Sequence, residues 1–189
     1  MQLKKSEIKV DLALVHYPVC NKNQETIGSA VTNLDIHDIA RAGKTFGVTN
    51  FYIVTPYQDQ QNLVRDILDH WQVGYGARYN PDRKEALASV RICDDLESLF
   101  DQVSDDGSQP VLLATCAKEQ HNSLSYEEVR KRIFRGEHFL IIFGTGWGLT
   151  REALDMMDGM LPPICGVSDY NHLSVRSAAT IVLDRLLSV

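Results

Sequence analysis

The chain has 189 residues, 44% hydrophobic and 23% charged, which is the composition of a soluble globular protein with one ordinary core. Its formal net charge of −6 disfavours a nucleic-acid partner unless cations gather on one face. No apolar run approaches the length of a membrane span, and residues 1–7 lack the apolar core of a signal peptide, so we expect one domain, 1–189, in the cytoplasm and away from membranes.

Predicted strands and helices alternate along the chain. Apolar runs predict strands over 11–17, 51–55, 90–93, 111–115 and 139–143. Helical spacing and capping residues predict helices over 35–46, 58–71, 95–103, 150–157 and 174–187, with a further helix opening at Ser125. Asp35 is suited to cap the first of these helices. The alternation predicts an α/β fold with a parallel sheet and helices on both faces.

The segment 139–149 is the most informative in the chain, because a buried strand runs there into three alternating glycines, Gly144, Gly146 and Gly148. Ligands of open α/β sheets bind at such strand-to-helix turns, although a tight turn without a ligand has the same pattern. A dinucleotide fingerprint would need a glycine at Leu149, and no Gly-Lys-Ser/Thr triplet follows. The turn therefore predicts a small-ligand site that follows neither code.

A polar loop, 168–172, leads into the final predicted helix. Helix N-termini offer free N–H groups to carboxylates and phosphates, whereas the alternative role of this loop is capping by Asn171 or Ser174. The helix itself is apolar on most faces, with a polar strip of Arg176, Asp184 and Arg185. Such a helix is buried on more than one side, so we expect either a second subunit or the chain's own loops to cover it.

Cysteines and cations add two further expectations. Cys20, Cys93, Cys116 and Cys165 include no close pair, which argues against a zinc site, predicts no bound metal and suits free thiols in a reducing compartment. Basic residues cluster within 78–91 and within 130–135. Clusters of this kind usually form solvated helix faces, and we expect the same here.

Three motifs in a fixed order resemble those of the SPOUT class of RNA methyltransferases, the knotted α/β group that includes the SpoU/TrmH-like and TrmD-like enzymes. The first motif is Arg41-Ala-Gly-Lys-Thr-Phe-Gly-Val48, and the second is Ile141-Ile-Phe-Gly-Thr-Gly-Trp-Gly-Leu149. The third is Leu161-Pro-Pro-Ile164 followed by Asn171-His-Leu-Ser-Val-Arg-Ser-Ala178. The likeness begins near Val10 and covers most of the chain; 168–176 further resembles a bacterial branch of the class.

This resemblance implies a Rossmann-like sheet with a C-terminal trefoil knot, S-adenosylmethionine as cofactor, a tRNA or rRNA substrate and a homodimer. It implies that the donor is held by Ala114, Thr115, Cys116, Phe143, Gly144, Thr145, Gly146, Trp147, Gly148, Ile164, Leu173 and Ser174. Arg41 is the candidate clamp for a phosphate or the acceptor region, since its guanidinium stays charged. Asp35, Asp169 and His172 are candidate proton acceptors, with Asn171 as the motif asparagine. A structural hydrogen bond is the alternative role of His172.

The chain departs from the family pattern at several positions. Thr145 replaces a glutamate of the second motif, Asn33 or Asp35 stands nearest to an asparagine of the ribose-methylating branch, and an extra residue displaces Asn171. Whether the acceptor is a base or a ribose therefore stays open. Two other functions also stay open: a knotted protein that binds donor or RNA without catalysis, and a flavodoxin-like nucleotide-binding enzyme. The second would need a binding loop at 16–21, where the chain has no glycine.

Overall fold

A computed structural model describes residues 8–104, 109–118 and 122–189, so residues 1–7, on which the signal-peptide prediction rests, lie outside the described part. The described residues form eight strands: β1 (Val10–Val15), β2 (Val19–Cys20), β3 (Thr26–Ile27), β4 (Phe51–Val54), β5 (Val90–Cys93), β6 (Val111–Thr115), β7 (Phe139–Gly144) and β8 (Gly159–Leu161). Six of them form one parallel sheet in the order β5-β4-β1-β7-β6-β8, while β2 and β3 form a separate antiparallel hairpin.

The described residues also form eight helices: α1 (Asn33–Phe46), α2 (Gln58–Gln72), α3 (Tyr75–Tyr79), α4 (Pro81–Leu87), α5 (Leu96–Ser104), α6 (Tyr126–Ile133), α7 (Arg151–Asp155) and α8 (Val175–Leu187). Alternate residues of the central strands enter two core layers, because side chains of a strand point to opposite faces. In one layer the sheet packs against α1, α2, α4, α6 and α8, and in the other against α5 and α7. This arrangement confirms the predicted α/β fold, with helices on both faces of a parallel sheet.

Capping explains where several helices begin. Thr32, not Asp35, caps α1: the Asp35 N–H donates to the Thr32 hydroxyl at 3.2 Å. The prediction that Asp35 is the cap was wrong because Asp35 is the third residue of the helix. Ser125 caps α6 as predicted, and Ser174, one of the two caps considered as the alternative role of the loop at 168–172, caps α8. The sequence patterns did not predict the β2–β3 hairpin, α3 or α4.

The final helix is covered largely by the chain itself. Leu183 is 0% exposed and belongs to the core, and α8 packs against α1, α6 and the sheet. Ala178 and Ile181 remain half-buried on the outer side of the helix. The chain's own elements thus account for most of the apolar surface that suggested a second subunit.

Candidate functional site

The carboxyl edge of the sheet brings together loops that are far apart in the sequence. Val15 at the end of β1 pairs with Gly144 at the end of β7, and Thr115 at the end of β6 pairs with Leu161 at the end of β8. The loop before α8 contacts the loop after β6, because the Asn171 side-chain amide donates to the carbonyl of Ala117 at 2.8 Å. The predicted donor loops therefore lie along one edge, and Asn171 joins two of them.

Glycine is required in the turn after β7 for two different reasons. A Cβ on Gly144 would lie 2.7 Å from the backbone nitrogen of Leu149, which only a glycine avoids. Gly146 has a positive φ of 58°, and a Cβ there would lie 3.0 Å from the carbonyl oxygen of Cys20. The turn is bound to β2 by two backbone bonds, from Trp147 N–H to the Cys20 carbonyl and from Cys20 N–H to the Gly148 carbonyl. The hairpin thus forms one wall of this turn.

Thr145, which replaces the family's glutamate, belongs to an internal chain of hydrogen bonds. Its hydroxyl donates to the Val15 carbonyl at 2.9 Å and lies 2.5 Å from the hydroxyl of Ser29. Since the Thr145 hydrogen is already used, Ser29 donates to Thr145, and Nδ1 of His16 donates to Ser29 at 3.0 Å. His16 is fully buried, and this burial lowers its pKa to about 4 despite the opposing charge of Asp35. His16 is therefore neutral at physiological pH.

The predicted donor residues divide into buried and accessible groups. Ala114 and Phe143 belong to the two core layers, so a ligand at this edge could contact them only through their backbone. Cys116 and Ile164 are half-buried. Trp147 is 64% exposed and Leu173 is 47% exposed, which makes them the most accessible apolar side chains among the predicted donor residues.

A polar cleft of about 500 Å³ lies between α1 and α8. Arg41 and Ser174, two of the predicted site residues, both line it, and the remaining lining residues are Asp38, Ala42, Thr45, Arg176, Ser177 and Thr180. The fold brings them together because α1 and α8 both begin at the carboxyl edge of the sheet and pack side by side. Arg176 was not predicted as a site residue, since nothing in its local sequence shows what lies opposite it.

Ion pairs occupy the carboxylates of this cleft and so limit which of them could accept a proton. Arg176 lies 3.2 Å from Asp35 and 3.4 Å from Asp38. The other oxygen of Asp35 accepts from the Thr32 hydroxyl at 2.7 Å, and its side chain is buried. Asp35 therefore holds α8 against α1 and is poorly placed to take a proton. Asp169 and His172 are exposed in the loop before α8, where the His172 ring contacts that of Tyr170 edge-on at 5.5 Å between centroids.

Comparison with known proteins assigns this chain to a family. Residues 9–188 match the family described as SAM-dependent RNA methyltransferase. A tRNA (guanine-N(1)-)-methyltransferase of Oleidesulfovibrio alaskensis is 44% identical over 176 residues, which are 93% of this chain and 41% of that protein. A protein of Aquifex aeolicus is 36% identical over 181 residues, which are 95% of this chain and 88% of that protein. The chain belongs to the family of S-adenosylmethionine-dependent RNA methyltransferases.

A solved structure shares the fold of this chain. The TrmH/SpoU tRNA modifying enzyme of Aquifex aeolicus matches 97% of this chain and 78% of its own length, with 15% identity and a TM-score of 0.56. This likeness shows the fold alone. The match to the family of S-adenosylmethionine-dependent RNA methyltransferases, together with the tRNA methyltransferase relative, confirms the resemblance seen in the three motifs. The chain spans only 41% of the length of the curated tRNA (guanine-N(1)-)-methyltransferases that it matches.

Two features are absent from the described residues, 8–104, 109–118 and 122–189. Their helices include none that is both long and apolar enough to cross a membrane. The same residues contain no group of three or more histidines, cysteines or carboxylates placed to hold a metal ion.

Proposed function

We propose that this chain transfers the methyl group of S-adenosylmethionine to a nucleotide of tRNA, in the cytoplasm, at the carboxyl edge of its sheet. One observation carries the proposal: the cleft between α1 and α8 unites Arg41 of the first motif with Ser174 of the third. Transfer RNA is preferred to rRNA because the longer relative and the Aquifex structure are both named for tRNA.

The loops at the edge fit a nucleoside donor in the chemistry that they present. Trp147 and Leu173 offer exposed apolar surface, and the turn that contains Trp147 folds back on itself so that Gly144 lies against the backbone of Leu149. Flat aromatic ligands bind against such apolar walls with a few polar groups to orient them. We assign donor binding to the loops after β6 and β7 and to the loop before α8. In the family resemblance these loops belong to the knot. Bound S-adenosylmethionine would supply an activated methyl group.

The cleft supplies the groups for the RNA. Arg41 is exposed on its wall and carries a charge that holds an acceptor nucleotide through its phosphate. The acceptor atom that takes the methyl group supplied by S-adenosylmethionine would release a proton. Asp169 and His172, in the exposed loop before α8, are the groups we assign to receive this proton, while Asp35 is occupied by Arg176 and Thr32.

A homodimer remains part of the proposal, with the outer side of α8 as its interface. Ala178 and Ile181 are half-buried there in the single chain, close to the cleft. A second subunit packed on this side would cover them and approach Ser174 and Arg41. In a two-fold dimer the same residues would act on both sides.

Labelled methyl transfer tests the proposal together with donor binding. The purified chain, supplied with tritiated S-adenosylmethionine, should label tRNA from a strain that lacks the gene and should leave tRNA from the parent strain unlabelled. Nucleoside mass spectrometry of the labelled tRNA then identifies the acceptor as a base or a ribose. Donor binding by calorimetry without transfer to tRNA or rRNA would instead favour a non-catalytic binding protein.

A further inference from the structure

The short helix α3, which packs against α2 and α4, presents two exposed aromatic rings. Tyr75 and Tyr79 lie four residues apart on α3, which places them on one face of the helix. Their rings are 76% and 75% exposed, nearly parallel at 22°, and 6.2 Å apart between centroids. Val73, at 82% exposure, precedes them. Three large apolar side chains exposed within seven residues form a patch that the fold itself does not cover.

The same segment carries cations. Arg78 is exposed on α3 between the two tyrosines, and Lys84 is exposed on α4. The guanidinium of Arg83 lies 4.5 Å above the ring of Trp71, which packs below α3. In the second basic cluster, 130–135, Lys131 forms an ion pair with Glu127, and Arg132 forms one with Glu137. Solvated helix faces were expected for both clusters, 78–91 and 130–135, and the exposed Arg78, Lys84 and Lys131 agree with that expectation.

The position of α3 is fixed by close packing. A Cβ on Gly76 would lie 2.7 Å from the Trp71 ring and 2.9 Å from Nε2 of His70, so this glycine lets α3 lie directly on those two rings. Helix α4 is joined to α1 by an ion pair of 2.8 Å between Lys44 and Glu85. Lys44 is one turn beyond Arg41 on α1. Because α3 packs against α4 and α4 packs against α1, the exposed rings of α3 lie in the same helical layer as the cleft.

We propose that Tyr75, Tyr79 and Arg78, the tyrosine platform, bind a single-stranded segment of the RNA whose acceptor nucleotide enters the Arg41 cleft. This inference rests on the proposed function, since it assigns a second contact to the same RNA. Exposed rings stack with bases of any sequence, and an adjacent cation binds the backbone. A second copy of the chain is a poorer occupant, because a two-fold contact across so small a patch would place two Arg78 charges within one interface without a carboxylate from the platform to face them.

Binding of a fluorescein-labelled 12-nucleotide oligouridylate, followed by anisotropy without donor, tests the platform. Tyr75→Ala/Tyr79→Ala should weaken binding by about tenfold or more, the scale of one or two lost stacks, while Tyr75→Phe/Tyr79→Phe should bind like the wild type. Arg78→Ala should reduce the slope of log affinity against log salt by about 0.7, the share of one phosphate contact on a single strand. Arg135→Ala, an exposed cation before β7, is the matched control and should leave the slope unchanged.

Circular dichroism of each variant confirms that the fold is retained, and donor binding by calorimetry confirms an intact donor site. Wild-type affinity in a folded double alanine variant would overturn the platform while leaving methyl transfer, and hence the proposed function, untouched. Loss of a dimer in light scattering with unchanged RNA affinity would also overturn it and assign the patch to self-association. A wild-type chain that binds the oligonucleotide through these rings but methylates no RNA would retain the platform and remove the proposed function.

Discussion

The guanidinium of Arg176, on the last helix, lies 3.2 Å from the carboxylate of Asp35, on the first helix, across a separation of 141 residues. Asp35 also accepts from Thr32, and Arg176 lies near Asp38 as well. The pair stands at the start of the two helices that form the cleft. It therefore sets the spacing between Arg41 and Ser174, which we assign to the site of methyl transfer.

Breaking this ion pair should cost stability and widen the cleft. Asp35→Asn removes the charge that faces a partly buried guanidinium, and we expect the free energy of unfolding to fall by about 2 kcal/mol, the scale of a hydrogen bond to a charged group. Asp38→Asn is the matched control, because its side chain is 49% exposed. An exposed pair contributes at most about 1 kcal/mol. Urea unfolding curves that give equal losses for the two variants would contradict this assignment of Asp35.

Arg41 should act in the transition state and contribute little to donor affinity. Arg41→Ala should leave the affinity for S-adenosylmethionine within a few-fold of the wild type and lower methyl transfer by about a hundredfold, the scale of one lost positioned charge. Arg41→Lys should recover little, because an ammonium lacks the two-pronged geometry of a guanidinium. Full transfer activity in the folded alanine variant would remove Arg41 from the site.

Gly146 and Gly136 separate backbone strain from close contact. Both have positive φ, 58° and 90°, but a Cβ on Gly136 meets nothing within 4 Å, whereas one on Gly146 meets the Cys20 carbonyl. Gly136→Ala should cost about 1–2 kcal/mol from strain alone. Gly146→Ala should cost more and should also weaken donor binding, because the turn must move away from β2. Equal stability losses and unchanged donor affinity in calorimetry would contradict the packing described for this turn.

Neutral His16 should make the fold sensitive to mild acid. Its pKa is about 4 in the folded chain against 6.5 for an ordinary histidine, so the unfolded chain takes up the proton first as pH falls. Above pH 6.5 the contribution of neutral His16 to the free energy of unfolding should be fully present. As the pH falls from 6.5 to about 4, this contribution should be lost, by about 3 kcal/mol in all.

Burial, followed by the charge of Arg83, lowers the pKa of His37 too, so that residue contributes in the same direction. Denaturant titrations at a series of pH values give the slope of the free energy of unfolding against pH. The contribution of His16 is the difference between this slope in the His37→Asn variant and in the His16→Asn/His37→Asn double variant. The slope should flatten in the double variant. An identical slope in the two variants would contradict the buried neutral state of His16.

The oligomeric state is best tested away from the core. Leu183→Glu should unfold the chain, since Leu183 is fully buried within it and an unpaired buried charge costs several kcal/mol. Ile181→Glu, on the half-buried outer side of α8, should leave the circular-dichroism spectrum of the single chain intact and convert a dimer into a monomer. Light scattering that finds a monomeric wild-type protein at micromolar concentration would remove the dimer from the proposal.

Much of the fold was predictable because its signals are local. Runs of β-branched and apolar residues define β1, β4 and β7, and the caps Ser125 and Ser174 sit directly before their helices. The hairpin of β2 and β3 was missed because each strand has only two residues. Helix α3 was missed as well, since five residues give no periodicity.

Motif resemblance marked Arg41, Ser174 and the glycine turn as candidate site residues, and their role stays a prediction. The structure shows that Arg41 and Ser174 line one cleft. The pairing of Arg176 with Asp35 and the chain from His16 through Ser29 to Thr145 join residues far apart in sequence, so no local pattern reports them. The trefoil knot stays a prediction of the resemblance.

The central claim is that this chain methylates RNA, and labelled transfer from S-adenosylmethionine to RNA from a deletion strain tests it most directly. We expect incorporation of tritium into tRNA from the deletion strain, none into tRNA from the parent, and a loss of about a hundredfold with Arg41→Ala. Absence of labelling in both tRNA and rRNA, by a wild-type protein that calorimetry shows to bind the donor, would contradict it.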